Sequence, residues 1–108
     1  MKQSEELRDP NRVYPEELLA EVLIQIEKDF NRAGFVIEKL ENPLSFHDLI
    51  SKLVALIKPM SSNQIQQLMY AIDLSEQVYL NVQTNPQALC ELMIKRVLQK
   101  VVWRKKLS

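Results

Sequence analysis

His47 and Cys90 are the side chains of this 108-residue sequence best suited to chemistry near neutral pH, and each type occurs once. A metal site built around His47 on a helix needs a second ligand three or four residues away. Those places hold Pro43, Leu44, Ile50 and Ser51. A di-iron bundle needs two Glu-x-x-His pairs, which one histidine cannot supply. His47 therefore reads as a structural or solvated residue just inside a helix cap. Cys90 falls within an apolar stripe, whereas a nucleophile needs an exposed, electropositive setting with a base nearby. It reads as a small core residue. Glu16, Glu17 and Glu21 suggest paired carboxylates, but on a first helical turn the macrodipole accounts for them. The single glycine, Gly34, excludes a Gly-rich phosphate loop. No catalytic residue, metal site or cofactor is expected, and the chain reads as a non-enzyme.

The elements that position these residues follow from periodicity and punctuation. The composition is 46% hydrophobic and 26% charged with one glycine, which favours helices over a turn-rich sheet. Residues 1–14 are polar and aperiodic and read as a mobile arm; residues 15–108 read as one helical domain. A first helix is expected from Pro15, with Leu18, Leu19, Val22, Leu23, Ile26, Phe30 and Ala33 on one face and Gly34 as its stop. Residues 35–44 contain a β-branched pair but have no partner strand. They read as a connector that docks Phe35, Ile37 and Leu40 on the core.

Ser45-Phe46-His47-Asp48 resembles a capping box and opens a second helix, with Phe46, Leu49, Ile50, Leu53, Val54 and Ile57 inward and Pro59 as its end. Ser61-Ser62-Asn63-Gln64 is another such box. The third segment places Ile65, Leu68, Met69, Ile72, Tyr79 and Val82 on one face, and Tyr70, Leu74 and Val78 on the other. Asp73 or Ser75 also suits the cap of a new helix, so one continuous helix and two angled helices remain alternatives. The fourth and last helix opens at Thr84-Asn85-Pro86 and runs to about Lys105. Leu89, Cys90, Met93, Ile94, Val97, Leu98, Val101 and Val102 cover about half its circumference. The expected fold is all-α, a compact bundle of four to five helices with this last helix central.

Charge is segregated although the net charge is zero. Residues 1–41 carry ten acids and six bases, and residues 42–94 four acids and two bases. Residues 95–108 carry Lys95, Arg96, Lys100, Arg104, Lys105 and Lys106 with no acid. Such a basic end can steer a partner, or simply offset a helix C-terminus. The segment Ile65–Val82 resembles the helix-turn-helix of bacterial repressors, with Leu68, Ile72, Leu74, Tyr79 and Val82 at its core positions. The resemblance implies DNA binding through Gln77, Asn81 and Gln83. It departs from the motif at Met69, where Ala is expected, and at Asp73, where Gly makes the turn. Glu76 would repel phosphates, and the basic residues lie outside the motif.

The remaining signal is apolar surface beyond what one core needs. Tyr70, Leu74 and Val78 form one stripe. Leu92 and Trp103, with Arg96 and Gln99 between them, form a second; Ala20 and Ile24 form a weaker third. Aromatic residues beside arginine are typical of protein interfaces. The expected function is a self-associating or partner-binding helical module, and the alternative is a DNA-binding protein. No apolar run reaches membrane-spanning length, and a lone cysteine with no signal-like N-terminus points to the cytoplasm.

Overall fold

The computed structural model describes residues 15–35, 37, 43–82 and 84–107. The expected arm at residues 1–14, and Leu40 and Gln83, lie outside them. Among the described residues there are five α-helices and no strand: α1 (Leu19–Arg32), α2 (Phe46–Ile57), α3 (Ser62–Ile72), α4 (Glu76–Val82) and α5 (Pro86–Leu107). The chain is an all-α bundle, as its periodicity implies.

Helices α2 to α5 each start where a side chain satisfies an orphan backbone donor, whereas α1 has no side-chain cap. Ser45 Oγ accepts from Asp48 N at 3.1 Å, and Ser61 and Gln64 form a complete capping box. Asp48 does not reach back to Ser45. Its carboxylate accepts from Leu44 N at 2.9 Å, and that backbone bond, with Lys52 nearby, holds its pKa below the ordinary carboxylate value. Asn85 Oδ1 accepts from Ala88 N at 3.1 Å, with Pro86 first in α5. Pro15 differs from the expectation. It is an extended cap residue (φ −72°, ψ 106°) before a 3-10 turn, Glu16–Leu18, and the α-helix begins at Leu19. Gly34, at φ +92°, ends α1 as the sequence implies, and Phe35 N returns to Phe30 O at 2.8 Å.

The third segment is broken. Asp73 adopts a left-handed conformation (φ 69°, ψ 44°), and Ser75 Oγ accepts from Val78 N at 3.3 Å to start α4. Asp tolerates this region better than most side chains. Arg96 supports it from α5: its Nε donates to the Asp73 carbonyl at 3.2 Å, and its Nη2 lies 2.7 Å from Asp73 Oδ2.

The core gathers Val22, Ile26 and Phe30 of α1, the Phe46 to Ile57 face of α2, Leu68, Met69 and Ile72 of α3, Tyr79 of α4, and Leu89 through Val101 of α5. Phe35 and Ile37 pack on it from the connector. Helix α5 packs against α1, α2, α3 and α4, and α1 packs also against α3. The α1–α3 contact means that the bundle is not built on the packing of the last helix alone.

Candidate interaction surface

Helix α5 carries every cation of the basic end, and its two sides treat them differently. On the α1 side, the pairs Glu21–Lys105, Gln25–Arg104 and Asp29–Lys100 run in opposite chain directions, so α1 and α5 are antiparallel. Asp29 is fully buried. Its Oδ2 lies 3.0 Å from Lys100 Nζ, and its Oδ1 accepts from Gln25 Nε2 at 3.0 Å. Gln25 Oε1 in turn accepts from Arg104 Nη2 at 2.7 Å. A buried carboxylate needs such a shell, because desolvating it unpaired costs several kcal/mol, on the order of 3 or more. The buried Gln25–Asp29 pair was not anticipated from the sequence. The signal was present: an amide and an acid four residues apart beside the Val22–Ile26 stripe, matched by Lys100 and Arg104 four apart on the partner helix.

On the other side of α5, Arg96, Leu98, Gln99, Val102, Trp103 and Lys106 line an open groove of about 690 Å³, with Pro15 also in its lining. Helical geometry turns Gln99, Trp103 and Lys106 away from Val97, Val101 and Arg104. Trp103 is 63% exposed over an apolar floor of Leu98 and Val102. Among the described residues no acid lines this groove, whereas Glu21 lines the smaller groove on the α1 side.

Of the residues expected at an interface, the structure unites some and separates others. Trp103, Arg96 and Gln99 share the groove; Leu92 is half-buried and does not line it. Tyr70 is 68% exposed, but Leu74 packs on the core and Val78 is half-buried. The straight stripe Tyr70–Leu74–Val78 needs a continuous helix, and the turn at Asp73 bends it. Arg96 both touches Asp73 and lines the groove, so the turn that ends α3 borders it. Leu80 and Ile24 are further half-exposed apolar side chains, and sequence reasoning missed Leu80.

The basic end is largely engaged. Arg96, Lys100, Arg104 and Lys105 each have a partner on α1 or at Asp73; for Lys95 and Lys106 no ion pair occurs among the described residues. His47 is exposed. Cys90 is fully buried, and desolvation, with the Glu91 charge adding to it, pushes its thiol up to about 12. A thiol so far from ionisation is a poor nucleophile. Among the described residues no group of three or more His, Cys, Asp or Glu could hold a metal ion, and no helix is long and apolar enough to cross a membrane.

The class these features define is a small all-α bundle with an apolar, cation-rimmed groove along its last helix. No family model matches the chain, and neither a curated protein nor a solved structure matches it.

Proposed function

We propose that this chain is a non-catalytic helical interaction module of the cytoplasm that associates with a second copy through the Trp103 side of α5. The observation that carries the reading is the groove itself: a largely exposed tryptophan over Leu98 and Val102, framed by Arg96 and Lys106. Large aromatics beside arginine supply most of the binding energy at typical interfaces. A formal net charge of zero removes long-range repulsion between copies, which favours self-association over a strongly charged partner. The engagement of four of the six basic side chains inside the fold weighs against the duplex-binding alternative, which needs cations available to phosphates. The short α4 offers Gln77 and Asn81 to bases, but with Glu76 at its start.

Sedimentation equilibrium tests the proposal. A mass of two or more 12.6 kDa chains is expected at micromolar concentration. Trp103→Ala should raise the dissociation constant about tenfold or more, given about 2 kcal/mol for burying a large aromatic. A single-chain mass at every concentration sinks the reading. Salt-sensitive binding to duplex DNA by that monomer would favour the alternative.

A further inference from the structure

A separate groove, of about 370 Å³, lies where the end of α2, the starts of α3 and α5, and α4 meet. It shares no lining residue with the Trp103 groove. Ile57, Ile65 and Leu89 give it an apolar floor, and Lys58, Ser62, Tyr79 and Thr84 bring polar groups. Among the described residues no acid lines it. Tyr79 is the informative member. It is 7% exposed, yet its phenolic hydroxyl has no hydrogen-bond partner among the described residues. A buried tyrosine ordinarily satisfies that group. Nor is the oxygen sealed inside the fold: among the described residues, the one fully enclosed side-chain oxygen or nitrogen left unpaired is Glu27 Oε2. The Tyr79 hydroxyl therefore meets open space, and the groove that Tyr79 lines is that space.

The groups around it favour a negative charge. Ser61 uses its side chain on Gln64 N, so the N–H of Ser62, first in the eleven-residue α3, has no partner inside the helix. The starts of α3 and α5 both lie at the groove and carry positive dipole ends. They meet one negative end, that of α2, where Lys58 adds a full positive charge. We propose that this groove binds a small monocarboxylate with an apolar body. The carboxylate accepts from the Tyr79 hydroxyl and the Ser62 N–H beside Lys58, and the hydrocarbon lies on Ile57, Ile65 and Leu89. Each part of the ligand answers a part of the lining. One cation suits one negative charge, whereas a phosphate dianion would be left half compensated. The apolar floor gives a bare anion nothing to bury. The volume stands at the small end of ligand sites, which run from roughly 300 to 1,000 Å³. The site is independent of the self-association reading.

The probe is octanoate, titrated into the full chain and followed by amide proton–nitrogen NMR. Saturable shifts are expected at Ser62, Tyr79 and Thr84. Octanol, which keeps the body without the charge, and acetate, which keeps the charge without the body, should each bind at least about tenfold more weakly. Tyr79→Phe removes one oxygen and keeps the ring; it should weaken octanoate about tenfold or more, as for one lost hydrogen bond to a charged group. Ser62→Pro removes the N–H at a position where proline suits a helix start, so it should weaken binding while the helical signal stays. Trp103→Ala should bind octanoate like the native chain whether or not copies pair. Shifts that do not saturate, or that centre on the Trp103 groove, overturn the proposal. So does octanol binding as tightly as octanoate, or an affinity unchanged by Tyr79→Phe. If Tyr79→Phe loses its helical signal, Ser62→Pro decides, and an unchanged affinity there overturns the site.

Discussion

The two sides of α5 solve opposite problems with the same residue types. Facing α1, Lys100 and Arg104 satisfy a carboxylate and an amide that the fold has taken out of water. Facing away, Arg96 and Lys106 stand at the edge of an apolar groove that is open to solvent. Cations on the first side belong to the fold; on the second, Arg96 is shared between the Asp73 turn and the groove, and Lys106 frames a surface available to a partner. The lesson is that a run of basic residues on one helix is not one site. Its members divide according to what packs against each side, and counting them from the sequence overstates the free positive charge.

That comparison can be broken by substitutions on either side. The largest loss is expected for Lys100→Met, which leaves Asp29 buried without its counter-ion and should cost about 3 kcal/mol in urea unfolding. Adding Asp29→Leu should recover most of it, since an apolar pair of similar bulk needs no solvation. A double variant as unstable as the single would show that the pair is not what limits this interface. Asp73→Ala comes next, at about 1 kcal/mol, because alanine takes the left-handed conformation less readily and loses Arg96. Asp73→Gly should lie closer to the native protein, and equal losses for the two would remove conformation as the cause. Lys105→Ala should cost less than about 0.5 kcal/mol, since its bond to Glu21 is solvated. On the groove side, Trp103→Ala should leave thermal unfolding nearly unchanged while weakening association. A melting temperature lowered by many degrees would place Trp103 with the fold instead.

Leu74 shows how far the groove side can be read from spacing. Its place between Tyr70 and Val78 is right for an exposed stripe only if the helix continues, and Asp73 interrupts it. Leu74→Glu would therefore damage the core it packs on, and Tyr70 is the cleaner probe of that region. Trp103 falls where three turns of regular helix from Leu92 would put it, because α5 has no interruption.

The sequence by itself determined the helical class, the caps at Ser45, Ser61 and Asn85, the stop at Gly34 and the inward face of nearly every helix. These depend on interactions three to five residues apart, which the order of residues states directly. Local sequence does not decide whether the third segment breaks, because Asp73 tolerates the left-handed conformation better than most side chains and Ser75 can cap a new helix. Arg96, 23 residues further on, supplies two hydrogen bonds to the bent form. Tertiary structure alone decided that Asp29 is buried against Lys100, 71 residues away, and that Pro15 joins Trp103 in the lining of one groove. Burial is a property of what the neighbouring helix presents, and no local pattern carries it.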